Sequence, residues 1–483
     1  MDPYDLIVIG SGPAGEKGAA TARFFGKSVA IVERNPELGG ASTNTGTIPS
    51  KTLRETALAL SGTRARKLYG VDLSLRHDAT VPDLMYHEER VRKTEEERVA
   101  DVVRDRAIDL YHGQARFVDP HTVVVKHDSG SESTISAEKF LIATGSSPVH
   151  PPNFDFEDPR ILDSDTILRI ASLPKRLAVI GAGVIGSEYA STFAALGREV
   201  HMIDKRKELL PFLDFEISAA LEKGMRETGV LFHWDDEITS CEIGVKGEVI
   251  LKCTSGCEIE VDAVLVAAGR NSNTGELNLA AAGITPGQRG LIETDQHYRT
   301  SVPHIYAAGD VIGYPALAST SAEQARVAMC HAFDKSYLKD QIAPLLPTGV
   351  YTIPECGMVG ESEEALIEKK IDYVIGHAPY SLNARGQIIG DSFGFLKLLF
   401  TREDMKLVGV HAIGEQATEL VHIGLIAMLA GCKAEIFNTA CFNYPTLGEL
   451  YKYATYSAFV KRGGERVLTS GMTPSPKRVG TAE

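Results

Sequence analysis

Two glycine-rich turns carry the first chemistry legible in this sequence: Gly10-Ser11-Gly12-Pro13-Ala14-Gly15 and Gly181-Ala182-Gly183-Val184-Ile185-Gly186. Each follows a short apolar run, and each is answered at the end of the next apolar run by an acid, Glu33 or Asp204. The spacing G-x-G-x-x-G serves a pyrophosphate. Its first glycine makes the turn, the second lets backbone approach the phosphates, and the third lets a helix pack closely on the strand; the acid then accepts the ribose hydroxyls. One match is weak evidence in a chain with 45 glycines, but two complete contexts are not coincidence. Pro13, Ala14, Val184 and Ile185 belong to these cradles, and Arg34 adjoins the first acid. Asp204 suits the free hydroxyls of NAD, whereas the adjacent Lys205 and Arg206 suit the 2′-phosphate of NADP. The two cations read equally as a solvated basic turn, so both nucleotides stay open.

The elements that must position these turns follow from apolar periodicity. The pattern predicts a strand over 4–9, a helix over 16–25 and a strand over 28–33. A long charged helix is expected over 83–110, then strands over 115–118, 122–126 and 140–143, the last ending in Thr144-Gly145. A proline-rich connector, 148–159, marks a boundary, after which the opening pattern repeats: strand 177–180, helix to 196, strand 199–204. A strand over 263–267 leads into Gly269-Arg270, and the chain returns to the first fold near 278–310. The expected class is therefore α/β with two Rossmann-like domains, 1–150 with 275–346 and 151–274, followed by a mixed region, 347–462, and a mobile tail, 463–483.

A net charge of −14 argues against nucleic acid or an anionic membrane as the main partner. Glycine turns at helix N-termini still supply local positive potential for a dinucleotide. No targeting segment is visible, and the late apolar run 421–430 is interrupted by His422 and Gly424, so a cytoplasmic protein is expected. Seven cysteines form no metal or disulfide framework, and Cys253 and Cys257 read as incidental thiols beside a hairpin turn.

The stretch from Thr300 to Asp310, with 140–145 and 264–269, resembles the motifs of the pyridine nucleotide–disulfide oxidoreductase superfamily. The resemblance implies FAD at the first turn, held with Glu33, Arg34, Ala115, Thr144, Gly145, Asp310, Ala316, Leu317 and Ala318. It implies NAD or NADP at the second, with Gly269 and Arg270. It also implies a C-terminal α+β dimerisation domain and a homodimer or higher oligomer, with Asn443-Tyr444-Pro445 reaching the partner.

Disulfide reductases of that superfamily carry two cysteines in the segment that here runs from Gly39 to Lys51. Ser42 and Thr47 stand in their places. A hydroxyl gives neither a disulfide nor the thiolate that thiol exchange needs. Asn443 replaces the family's histidine base, and an amide has no usable pKa near neutrality; Glu449 thereby loses its usual partner. These departures are similar to the soluble (Si-specific) pyridine nucleotide transhydrogenases, which usually keep the first cysteine that is Ser42 here. The resemblance implies that Lys51 and Glu188 pair beside the flavin and that the small Val184 leaves the nicotinamide pocket open. The implied activity is ping-pong hydride exchange between NADPH and NAD. An NAD(P)H dehydrogenase serving quinone, dye or oxygen, and a non-catalytic nucleotide-sensing flavoprotein, are the alternatives.

Overall fold

The computed structural model describes residues 2–62 and 80–463, so all but the first residue of the expected tail 463–483 lies outside the described residues. Contacts divide the chain into one unit of Met1–Leu346 with Val350–Glu355, and a second of Pro347–Gly349 with Cys356–Glu483.

The first unit holds two main sheets. In the first, Asp109–His112, Val29–Glu33, Tyr4–Ile9, Glu132–Ile142 and Ile305–Ala307 run parallel. Successive residues of Tyr4–Ile9 enter opposite cores. Leu6 and Val8 pack with Ala19, Val103 and Met329, and Ile7 and Ile9 with Phe117, Phe140 and Ile305. From Leu6 to Ile9 the strand is apolar at every position because both faces are covered. Glu132–Ile142 is longer than its apolar end predicts, because its first half pairs antiparallel with Thr122–Lys126. The helix expected over 83–110 is Val81–Asp105, and Leu110 lies instead in the edge strand Asp109–His112. That residue continued the apolar spacing only by coincidence, since strand pairing to Val29–Glu33 claims it.

The second sheet is parallel throughout, in the order Val230–Trp234, Glu199–Asp204, Arg176–Ile180, Ala263–Val266, Ile161–Leu162. The hairpin Val249–Cys253 to Glu258–Val261 turns through Thr254-Ser255-Gly256, where Gly256 takes φ +86°. Asp236 fastens this turn, accepting from Thr254 Oγ1 at 2.8 Å, Ser255 N at 3.1 Å and Ser255 Oγ at 2.6 Å. Burial alone would raise its pKa, but the Ser255 and Thr254 bonds outweigh it and hold the carboxyl far below the usual range. A carboxylate depressed in the folded state contributes fully above its unfolded value, about 3.9, and loses that contribution as pH falls toward the folded value. Asp236→Asn is therefore expected to cost about 1–3 kcal/mol at neutral pH and to flatten the loss of stability below pH ~4. Urea melts of both proteins from acid to neutral pH would reveal parallel curves if Asp236 has no such role.

In the second unit, Cys356–Gly360, Leu407–Ile413, Phe395–Thr401 and Tyr373–Pro379 form an antiparallel sheet. Helices Ala417–Leu429 and Leu450–Gly463 pack on it. The boundary expected at 347 shifts accordingly. Val350–Glu355 belong with the first unit, where Tyr351 N donates to Glu188 and Ile353 N to Ser191 Oγ, and Thr352 O accepts from Arg54 Nε. No helix of the described residues is long and apolar enough to cross a membrane.

Candidate functional site

The two glycine turns fold alike, for the same steric reasons. Gly10 and Gly181 adopt φ +104° and +102°, and a Cβ at either would meet a carbonyl of the neighbouring strand at 2.4 or 2.5 Å. Gly15 and Gly186 pack so closely that a Cβ would lie 1.9 and 2.0 Å from the first glycine's carbonyl oxygen. The middle glycines differ. Around Gly183 nothing lies within 4 Å of a Cβ, and around Gly12 only Gly40 Cα at 3.9 Å. The fold itself does not need glycine there, but a ligand approaching the backbone does. Gly12 and Gly183 are also the N-caps of helices Pro13–Phe24 and Val184–Ala195, and neither helix start has a side-chain cap. A helix start left without a side-chain cap suits a pyrophosphate.

Around the first turn, Glu33 is buried and accepts from Ser11 N at 2.8 Å, Ser11 Oγ at 2.7 Å and Asn35 N at 2.9 Å. Ser11, which the spacing argument passed over as an unspecified position, ties the acid to the turn. Arg34 is exposed beside it, and Ala115 is buried in the strand Gln114–Asp119. Thr144 and Gly145 follow the strand Glu132–Ile142, and Thr144 Oγ1 is buried without a hydrogen-bond partner among the described residues. An orphaned hydroxyl beside an open glycine cradle fits a bound dinucleotide. Asp310 accepts from Ser146 Oγ at 2.8 Å, while Ala316 and Leu317 lead into the helix that Ala318 opens.

At the second turn, Asp204 accepts from Ala182 N at 2.6 Å, Arg206 N at 2.8 Å, Arg206 Nε at 3.0 Å and Arg206 Nη2 at 2.8 Å. Burial works to raise its pKa, yet the Arg206 guanidinium and the backbone donors hold it below the usual carboxylate range. The residue expected to greet ribose hydroxyls is thus already engaged by its neighbour. Gly183, Val184, Ile185, Gly269 and Arg270 line a cavity of about 200 Å³. Arg270 is fixed there by Ser146 O at 2.7 Å, Ser146 Oγ at 2.8 Å and Ser164 Oγ at 3.2 Å.

Lys51 lies on the helix Thr47–Ser61 and Glu188 on Val184–Ala195. The fold brings them together, with Lys51 Nζ 2.6 Å from Glu188 Oε2. Sequence reasoning missed the third member. Tyr351 N donates to Glu188 Oε1 at 2.9 Å, and Lys51 Nζ sits 5.0 Å from the Tyr351 ring centroid. The bond runs from a backbone N–H, which no side-chain pattern announces. Ser42 lies in the short helix Gly40–Asn44 and Thr47 begins the next one. All seven cysteines are free thiols, and none falls in this segment. In the second unit, Asn443 is exposed, and Glu449 Oε2 is buried without a partner among the described residues.

A known family model, pyridine nucleotide-disulphide oxidoreductase, matches residues 4–325, the span that holds both glycine turns and the Lys51–Glu188 pair. Its dimerisation-domain model matches residues 346–455. The chain belongs to the pyridine nucleotide-disulphide oxidoreductase family. Within that family it is similar to a soluble pyridine nucleotide transhydrogenase of Mycobacterium tuberculosis, 46% identical over 95% of this chain and 98% of that one. The enzyme of the same name from Chromohalobacter salexigens is 42% identical, over 93% of this chain and 97% of its own. Among solved structures, the HOCl-induced flavoprotein disulfide reductase RclA of Escherichia coli superposes with a TM-score of 0.85 at 26% identity, covering 94% of this chain and 99% of that one. The family name refers to a disulfide, yet the segment from Gly39 to Lys51 holds no cysteine, and Ser42 and Thr47 lie within it.

Proposed function

We infer that this oxidoreductase is an FAD-dependent pyridine nucleotide transhydrogenase, moving a hydride between NADPH and NAD+ by a ping-pong route that uses no redox disulfide. The observation that carries the reading is the Lys51–Glu188 pair beside two open glycine cradles, with Ser42 and Thr47 where thiols would relay electrons onward. The long, near-complete similarity to enzymes named as transhydrogenases supports it.

Residues 1–150 and 275–346 form the flavin half on this reading. Gly12 and the N-terminus of Pro13–Phe24 take the pyrophosphate, Glu33 a ribose, and Asp310 the ribityl chain. Residues 151–274 form the nucleotide half, where Gly183 takes the second pyrophosphate and Val184 with Arg270 borders the nicotinamide. FAD, when bound, supplies a two-electron carrier that can accept and return a hydride. The protein supplies position and charge. Glu188 fixes the Lys51 ammonium, whose positive charge favours the electron-rich form of whatever ring it faces. On this reading donor and acceptor nucleotides occupy the cradle at Gly183 in turn.

A homodimer completes the proposal. Ile423, Ile426 and Leu429 on one helix and Tyr453 and Tyr456 on another are exposed in the second unit, an apolar surface that suits a second copy. Anaerobic mixing of the flavin-loaded protein with NADPH and a spectrally distinct NAD analogue tests the activity. Sustained reduction of the analogue is expected; bleaching of the flavin without onward transfer would overturn the reading in favour of a dehydrogenase.

A further inference from the structure

Asp204 is followed by three consecutive cations, Lys205, Arg206 and Lys207, and each is held by a carboxylate. Arg206 closes on Asp204 itself at 2.8 Å. Lys205 pairs with Glu237, and Lys207 pairs with Asp235 at 3.1 Å. The two outer carboxylates come from one short segment after the strand Val230–Trp234, the parallel neighbour of Glu199–Asp204.

That segment is anchored to the nucleotide end of the sheet from both sides. Asp235 N donates to Arg206 O and Asp236 N to Asp204 O. Beneath, the Asp236 side chain is tied into the Thr254-Ser255 turn, and Glu237 N donates to Asp236 Oδ1 at 2.9 Å. Asp235 takes φ +58°, a left-handed conformation that aspartate and asparagine tolerate better than most residues. A loop held this firmly presents Asp235 and Glu237 at fixed places beside Lys207 and Lys205.

We propose that Asp235 and Glu237 are specificity-determining residues: they neutralise the lysines flanking Arg206 and so hold down the affinity for a 2′-phosphate, keeping NADP(H) and NAD(H) comparable as ligands of one pocket. The inference rests on the transhydrogenase reading, which requires both nucleotides to enter and leave the same site. Without these two acids, Lys205 and Lys207 would stand uncompensated on either side of Arg206 and tighten the hold on NADP(H). With them, the phosphate must displace Asp235 and Glu237 from partly exposed pairs, a modest cost at such exposure. NAD+ gains nothing from the lysines and is indifferent to their pairing. Asp204 and Arg206 complete the balance: NAD+ must draw the carboxylate away from Arg206, whereas NADP+ draws Arg206 away from the carboxylate.

The test is a pair of dissociation constants, for NADP+ and NAD+, measured by calorimetry on the flavin-loaded Asp235→Asn/Glu237→Gln protein. Asparagine keeps the left-handed conformation available and glutamine keeps the side-chain length, and both positions are exposed, so the fold is retained. NADP+ is expected to bind roughly five-fold more tightly, the sum of two exposed pairs at about half a kcal/mol each, with a steeper dependence on salt and NAD+ within about two-fold of the parent. Equal shifts for the two nucleotides, or no shift for NADP+, would overturn the proposal. The outcomes separate from those of the activity itself: a parent that transfers hydride while the variant keeps the parental ratio sinks this inference alone. A variant with the altered ratio in a protein that fails to transfer sinks only the transhydrogenase reading.

Discussion

Replacing Lys51 with alanine is expected to leave flavin content and both nucleotide affinities near parental values while slowing hydride transfer by roughly 10²–10³-fold, the effect of removing one preorganised charge from an active site. Lys51 Nζ lies 2.6 Å from Glu188 Oε2. Glu188 is buried and keeps a second bond, from Tyr351 N, when the lysine is gone. The variant therefore loses the cation but retains the helix packing around it. Glu188→Gln should cost less than Lys51→Ala, since an amide oxygen still accepts from Tyr351 N and the ammonium remains over the Tyr351 ring. Anaerobic stopped-flow reduction of the flavin by NADPH, with nucleotide titrations alongside, reads the two effects separately. A Lys51→Ala protein reduced at the parental rate would remove Lys51 from the site.

The second large effect is expected at Gly186, and the comparison with Gly183 makes it informative. A Cβ at 186 falls 2.0 Å from Gly181 O and 3.2 Å from Val179 Cγ1, so the helix must move off the strand. Overpacking against backbone typically costs about 1–3 kcal/mol, and here the displaced helix start is also the proposed nucleotide cradle. Gly186→Ala should lower the melting temperature and weaken nucleotide binding by about 10²-fold or more, two orders being about 2.7 kcal/mol, with flavin content unchanged because Gly15 builds the other turn. Gly183→Ala meets only open space. It should weaken nucleotide binding with no loss of thermal stability. Equal stability losses in both variants would mean that the middle glycine serves the fold and not a ligand.

The glycine turns were the most legible part of the sequence because their requirement is local: positive φ and contacts within a few residues leave a fixed spacing. The central strands Tyr4–Ile9, Val29–Glu33, Arg176–Ile180 and Ala263–Val266 were legible for a related reason, since burial on two faces makes them largely apolar, whereas the outer strands Ile161–Leu162 and Val230–Trp234 were not. The errors lie where pairing between distant segments decides. Leu110 fitted a helical period but belongs to an edge strand, and the polar first half of Glu132–Ile142 becomes strand only through its partner Thr122–Lys126. The meeting of Lys51 with Glu188 rested on resemblance, because nothing local relates positions so far apart. Ser11, Tyr351 and the acids Asp235 and Glu237 escaped notice. Two of those contacts use backbone N–H groups, and the other two are ion pairs between separate strands' ends.

The strand Ile305–Ala307 lies parallel against Phe140–Ile142, and Asp310 follows immediately after it. During synthesis the first sheet must therefore wait, with the Glu132–Ile142 edge uncovered, while the whole second sheet emerges. The late strand closes contacts of very long sequence separation, a topology that slows folding and leaves apolar edges open to association. The segment that completes the first cradle is thus also the one that ends a vulnerable interval in the life of the nascent chain, and chaperone demand should concentrate there.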